Sequence, residues 1–286
     1  MSIGKLMKGH TFAKGKKKLT WPAVAEIKLD EIRLDVRAVE GKMGWGVAFQ
    51  SFADKPLLNL GDYAGSFLEL MNDVDVRRLD CGVLVNRSFN DTYRYVRSKT
   101  LPPELAGAKV EFILFDVPED DRPFGDRMHY LDTVAQIGVH YGLAMIRPER
   151  AEVKDEEQVW GLFASARERG FEGLMVKDYG HLYELDKRTN GWLKVKPEED
   201  EDGIITAINQ AHSLEGVPLD RAGSVTITVP GGSGADASGI PHELGRLMQA
   251  NPDQFIGQWA TFSYMERDRQ GGYRHPRFER IREEKA

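Results

Sequence analysis

The sequence predicts an α+β chain in two parts: antiparallel sheets with flanking helices, then a small β-barrel. Three observations predict it. Short alternating apolar runs punctuated by glycine and proline dominate, and stretches with helical spacing are few. An acidic run, Glu198-Glu199-Asp200-Glu201-Asp202, breaks the composition two thirds of the way along. Beyond that run the pattern is strand-like, with one short helix.

In chain order, residues 1–20 form a basic arm. It holds Lys5, Lys8, Lys14, Lys16, Lys17 and Lys18 and no acid. Such an arm is either a phosphate-binding element or a solvated terminus. Residues 21–198 form the first domain. Glu26 to Arg33 reads as its opening strand, with Glu26, Lys28 and Asp30 on one face and Ile27, Leu29 and Ile32 turned to a core. Residues 34–52 continue as an antiparallel meander punctuated by Gly41, Gly44 and Gly46. Phe67, Leu70, Met71 and Val74 give a helix over 66–78, followed by strands over 79–85 and 110–117. A helix is expected over 127–142. A second begins at Asp155 as N-cap, with Gln158 as its capping partner and Gly170 as its stop. Residues 172–177 and 192–197 read as strands.

Residues 199–286 form the second domain. Strands are expected over 203–208, 224–229 and 259–266, with a helix over 242–249. Few strands and one helix suit a small closed barrel of the OB-fold type. Residues 230–234, Pro-Gly-Gly-Ser-Gly, make a mobile loop rather than a phosphate loop, because the lysine and hydroxyl ending is missing. Glu199 to Gly203 is expected to act as a linker that lets the domains rotate.

Composition narrows the function. The chain has 286 residues, of which 41% are apolar, enough for real cores. No run approaches the ~18 apolar residues of a membrane span, and the N-terminus lacks an apolar signal core. A single cysteine, Cys81, forms no intrachain disulfide and fits a reducing cytoplasm. Zinc patterns and HExxH are missing. The net charge of −6 speaks weakly against nucleic acid, yet the charge is segregated rather than uniform.

The chemistry gathers on lysines. Lys28, flanked by carboxylates on a short strand, is either a salt-bridged structural residue or a nucleophile. Lys177 shares a face with Met175, and Lys194 and Lys196 share one with Trp192. A cavity floored by these lysines cannot be a hydrophobic centre, since desolvated ammonium groups need anions. A polyphosphate is the natural occupant. Neighbouring cations would lower the pKa of one lysine and leave an amine able to attack phosphorus.

Three motifs carry a resemblance. Lys28-Leu29-Asp30-Glu31-Ile32-Arg33, Glu172-Gly173-Leu174-Met175-Val176-Lys177 and Trp192-Leu193-Lys194-Val195-Lys196 resemble, in order, those of the covalent nucleotidyltransferases. The chain is most similar to the small bacteriophage-type ATP-dependent DNA ligases, including Ser263-Tyr264-Met265-Glu266 and Arg274-His275-Pro276-Arg277-Phe278 near the end. The resemblance implies a nucleotidyltransferase (adenylation) domain followed by an OB-fold. It implies that Lys28 attacks ATP to give lysyl-AMP, that AMP passes to the 5′-phosphate of a nick, and that the 3′-hydroxyl then displaces it. Position by position, Glu26 would read the adenine amino group, with Ile27 beside it, and Phe115 and Met175 would sandwich the ring. Arg33 would meet the sugar or nick, and Lys177 would join the nucleotide contacts. Lys194 and Lys196 would grip the α-phosphate, with Asp30 in the catalytic group. Glu172 would hold Mg2+. Arg282 and Lys285 would orient the leaving pyrophosphate. Lys16, Lys17, Lys18, Arg188 and Arg274 would contact DNA. The implied partner is nicked double-stranded DNA, bound by a monomer in the cytoplasm. An RNA ligase, another covalent nucleotidyltransferase or an impaired, mainly nick-binding homologue would share many of these residues.

Three positions depart from the pattern. Glu31 stands where the family has glycine, Gly82 where it usually has glutamate, and Phe52 where it often has arginine. A positive φ at Glu31 would cost ~1 kcal/mol. If positions 31 and 82 are close across the pocket, the carboxylate gained at one compensates the carboxylate lost at the other.

Overall fold

The computed structural model describes residues 4–42, 44–197, 199–265, 267 and 271–282. The chain divides into two compact units, Met1–Val195 and Lys196–Ala286. In chain order the first unit holds β1 (Lys8–Thr11), α1 (Phe12–Gly15), β2 (Ala23–Lys28), β3 (Ile32–Gly41), β4 (Gly44–Ser51), α2 (Ala64–Asp73), β5 (Arg78–Val85) and α3 (Phe89–Arg97). It continues with β6 (Val110–Asp116), α4 (Phe124–His140), β7 (Met145–Ile146), β8 (Arg150–Val153), α5 (Glu156–Glu168), β9 (Gly173–Asp178) and β10 (Arg188–Val195). These strands make two five-stranded sheets, ordered β1-β10-β9-β2-β8 and β4-β3-β5-β6-β7.

The second sheet carries the larger core. Leu34, Val36, Leu79, Cys81, Val83, Phe112 and Leu114 pack against Phe67, Leu70 and Met71 of α2 and Leu131 and Val134 of α4. The first sheet covers Val159 and Ala166 of α5 with Ala25, Val176, Leu193 and Val195. Helix α5 starts as its sequence dictates. The Asp155 carboxylate accepts from the Gln158 amide at 2.9 Å, which satisfies one orphan donor of the first turn. The Gln158 side chain accepts from the Lys154 amide at 3.0 Å, one residue earlier than a strict capping box. Gly170, at φ +83°, ends the helix.

Several elements differ from the sequence reading. The opening strand ends at Lys28, its last partner being Gly173, so Asp30 does not continue the alternation. Helix α4 begins at Phe124, directly after Pro123. Helix α3 carries only Thr92, Tyr95 and Val96 on its buried face, too thin a stripe to stand out. The N-terminal residues pack onto the first unit. Leu6, Met7 and Phe12 are buried, and β1 runs parallel to β10 at the sheet edge.

The second unit is a closed barrel, ordered β11 (Glu199–His212), β12 (Pro218–Thr228), β13 (Gly234–Ser238), β15 (Arg277–Ile281) and β14 (Trp259–Tyr264). Helix α6 (His242–Ala250) packs on it. The interior holds Ile205, Val225, Ile227, Ala237, Ala260 and Phe262. The expected linker is part of this barrel. Glu199 to Gly203 pair residue by residue with Tyr264 to Ala260. Their charge is offset in place: Glu201 pairs with Arg267 at 2.7 Å, and Asp202 pairs with Arg282 at 2.5 Å. An acidic run with matched arginines across the barrel is a strand, not a solvated hinge.

Candidate active site

Strand register builds the site. Glu26 of β2, Met175 of β9 and Lys194 of β10 fall in one cross-strand row. Val24, Lys177 and Trp192 make the next row, and Lys28 lies opposite Gly173. Residues two apart on a strand share a face, so Glu26, Lys28, Met175, Lys177, Trp192 and Lys194 all face one way. Opposite them stand Arg33 of β3 and Phe115 of β6, with Phe52 just beyond β4. Between the two sheets lies a cleft of about 280 Å³. Lys8, Ile27, Leu29, Glu31 and Pro148 complete its lining.

Each charged group in the cleft has a definite setting. The Lys28 ammonium sits 2.5 Å from Glu172 and 3.9 Å from Glu31. Burial pulls Lys28 down, but the Glu31 and Glu172 carboxylates outweigh it, and its pKa is raised. The expectation of a lysine depressed by its neighbours is therefore wrong for Lys28, because its nearest charges are acids. Burial lowers Lys177, with Glu26 opposing, and the Lys177 ammonium pairs with Glu26 at 2.7 Å while both are about 1–2% exposed. Arg147 stands 3.4 Å from the same Glu26 carboxylate. Glu26 thus reaches the cleft already paired.

Arg33 is committed to Asp80. Its Nε donates to Asp80 Oδ1 at 2.5 Å, Nη2 donates to Oδ2, and Nη2 also donates to the Met7 carbonyl at 3.1 Å. Asp80 is fully buried and accepts from the Tyr183 hydroxyl at 2.7 Å. Burial opposes the Arg33 charge, but Asp80 raises its pKa above the ordinary value.

Glu31 resolves the first departure. Its backbone is not among those with positive φ, so the residue carries no left-handed strain. Burial pushes its carboxyl up, against Lys28, and its Oε2 is buried without a hydrogen-bond partner. A side chain on Gly82 would place its Cβ 2.4 Å from Glu31 Cγ and 3.0 Å from Phe115 Cζ. The Glu31 side chain occupies the space that a residue at 82 would need. Asp30, by contrast, lines an adjoining cleft with Glu172, Arg87, Glu111 and Arg169.

Residues 73–196 match the family model of the ATP dependent DNA ligase domain. They carry Phe115, Met175, Lys177 and Lys194 of this cleft, and Glu172, which pairs with Lys28 from the adjoining one. The chain is 35% identical over 142 residues to the DNA ligase of Enterobacteria phage T3, covering 47% of this chain and 40% of that protein. The chain therefore spans well under half of that relative. In fold, it matches the ATP-dependent DNA ligase of bacteriophage T7 in complex with ATP at a TM-score of 0.60 and 22% identity, over 97% of this chain and 98% of that one. It matches a Lig E DNA ligase at a TM-score of 0.71 and 18% identity, over 98% of this chain and all of that one.

Lys28 lies upstream of the matched stretch, on β2. Lys194 lies on β10 inside it; Lys196 is its last residue and opens the second unit, with its Nζ 4.0 Å from Met265 Sδ. Arg188, at the start of β10, donates to the Gly9 carbonyl at 3.0 Å. Lys16 pairs with Glu156 at 2.5 Å, while Lys17 and Lys18 are exposed. Arg274 lies on the barrel, its carbonyl accepting from the Met265 amide at 3.0 Å, and Arg282 is held by Asp202 there. Lys285 lies outside the described residues. Sequence reasoning missed Lys8, Arg147 and Asp80. Asp80 and Arg147 act through pairings between distant strands, and Lys8 sat in a segment read as an arm.

Proposed function

We propose that the chain is an ATP-dependent DNA ligase that seals nicks in duplex DNA through lysyl-AMP and DNA adenylate. One observation carries the reading: a lysine clamped between two carboxylates stands in a cleft walled by an aromatic ring, a thioether and further cations. That set suits adenosine triphosphate. Phe115 and Met175 offer faces for a purine, and the edge of Glu26 offers an acceptor for its amino group. Lys194 supplies positive charge toward the α-phosphate and toward charge developing in the transition state.

Lys28 is the nucleophile of this reading. In the nucleotide-free state it is an ammonium ion held by Glu172, so it has to release a proton and leave that pair before it attacks. Its nitrogen then bonds to the α-phosphorus as the bond to pyrophosphate breaks. The donor set suits Mg2+: Glu172 and Glu31 offer carboxylate oxygens beside the place for phosphates, and this ion typically takes one or two carboxylates plus phosphate oxygens. When bound, the ion supplies neutralisation of phosphate charge. The Glu172 carboxylate would hold it, which also frees Lys28. Nicked DNA would be held through its phosphates, as a sealer indifferent to sequence requires. The reading takes the protein as a cytoplasmic monomer serving DNA replication or repair; among the described residues no helix is long and apolar enough to cross a membrane.

The test is intact mass after incubation with ATP and magnesium. An added AMP in the wild type, lost in Lys28→Ala, is expected. Transfer to nicked duplex DNA in preference to nicked RNA completes it. A wild type that takes no AMP overturns the proposal.

A further inference from the structure

The N-terminal segment is built into the cleft rather than laid over it. The Met7 amide donates to the Tyr183 hydroxyl at 3.1 Å, and the Met7 carbonyl accepts from Arg33 at 3.1 Å. The Lys5 amide donates to Asp186 at 2.8 Å, and the Lys8 amide donates to the Lys187 carbonyl at 2.8 Å. Leu6 and Met7 are buried against Tyr183 and Trp192. Gly9 permits this course: a Cβ there would lie 2.3 Å from the Trp192 carbonyl oxygen. Held on both sides, Lys8 sends its side chain into the cleft that also holds Lys28 and Lys194.

Its surroundings are those of a cation waiting for an anion. The Lys8 ammonium rests on the face of Phe52, 3.4 Å from the ring centroid. Burial, then Arg188, Lys5 and Arg33, all lower its pKa, so the charges that bear on it most are positive. Arg33 gives its own charge to Asp80. Gathering cations at one wall costs free energy unless an anion is bound there. Phe52 itself has no charge to offer, and Lys8 places one directly above it.

We propose that Lys8 is a phosphate-binding residue of this cleft, delivered by the N-terminal strand to the wall that Phe52 leaves uncharged. The inference rests on the ligase reading for the source of the phosphate: the polyphosphate of ATP or the 5′-phosphate of the nicked strand. The chemistry is the same, a lysine ammonium donating to phosphate oxygens.

Three variants test it: Lys8→Ala, Lys8→Arg, and Lys8→Ala combined with Phe52→Arg. Each is first checked for a native circular dichroism spectrum and melting temperature. Two rates are then measured, lysyl-AMP formation against ATP concentration and sealing of a nick that already carries 5′-AMP. Lys8→Ala should lose roughly 10–100-fold in one of them, the scale of a charge-assisted hydrogen bond. A loss confined to the first assigns the nucleotide phosphates, and a loss confined to the second assigns the DNA end. Lys8→Arg should keep activity within about threefold, and Phe52→Arg should recover most of what Lys8→Ala loses. A folded Lys8→Ala protein with wild-type rates in both assays overturns the proposal. Should the wild type form no lysyl-AMP, the ligase reading fails instead. Calorimetric binding of inorganic tripolyphosphate then decides on Lys8 alone: weaker binding by Lys8→Ala upholds the site, and unchanged binding removes it.

Discussion

Position 82 can carry a side chain only if position 31 gives one up. The perturbation is a cycle of Gly82→Ala, Glu31→Gly and the two together. In the native background the new methyl would lie 2.4 Å from Glu31 Cγ, well inside contact distance, with Phe115 ring atoms at 3.0 and 3.1 Å. Cγ is not the free end of the glutamate, and the side chain is only 10% exposed, so it cannot simply swing away. Overpacking of this kind costs ~1–3 kcal/mol. Gly82 lacks a positive φ, so alanine adds no backbone strain there. With Glu31 removed, only the ring contacts remain, and a shift of a few tenths of an ångström relieves them. The coupling between the two sites should therefore be ~1–2 kcal/mol, with the double variant better than the sum of the singles. Urea unfolding of the four proteins, followed by circular dichroism, measures it. Costs that add to within ~0.5 kcal/mol would refute steric exclusion. The functional counterpart is lysyl-AMP formation. Glu31→Gly should reduce it, and Gly82→Glu in that background should restore a carboxylate and much of the rate. A faster Glu31→Gly enzyme would end the idea of a compensating exchange.

Two more outcomes follow from the buried charges. Lys28 has a raised pKa, so its ammonium form persists to higher pH than a free lysine, and the amine appears only as pH climbs through that value. Lysyl-AMP formation by the apo enzyme should rise with pH throughout the alkaline range, and Glu31→Gln should move the rising limb to lower pH; a limb that stays put or moves up contradicts the assignment. Lys177→Met leaves Glu26 buried with only Arg147 nearby and should cost ~3–5 kcal/mol in urea unfolding, whereas adding Glu26→Gln should recover a large part; equal costs for single and double variants would show that the pair is not coupled.

Local chemistry was the legible part of this fold. Asp155, Gln158 and Gly170 announce helix α5 because capping needs only neighbours in sequence. The three lysine-bearing strands could be read from alternation, and their register does put Lys28, Lys177 and Lys194 on one cleft wall. What could not be read depends on partners far along the chain. Strand β2 stops at Lys28 because pairing with β9 runs out at Gly173, which local alternation does not record. The acidic run looked like a linker because Arg267 and Arg282, which offset it, lie more than sixty residues away. For lysines 5 and 8 the choice between a phosphate-binding element and a solvated terminus stayed open, because Tyr183, Asp186 and Trp192 arrive from the other end of the domain. The pKa of Lys28 was misjudged for a related reason: counting cations along the sequence gives no weight to Glu172 at 2.5 Å.

The barrel closes on a narrow seam. Among the described residues β13 and β15 meet in parallel at one residue pair, Ser238 with Arg277, supported by the Ser238 amide donating to the Pro276 carbonyl at 3.2 Å. Closure is what spares a sheet its unpaired edges, and edges are templates for association between copies. Here most of that protection hangs on a few atoms, backed by the charged run Arg277, Glu279 and Arg280 on β15. Proline at 238 would remove the amide that donates across the seam. The consequence would be seen in solution behaviour before it is seen in folding: concentration-dependent self-association, strand exchange between copies and loss of protein to precipitation on storage.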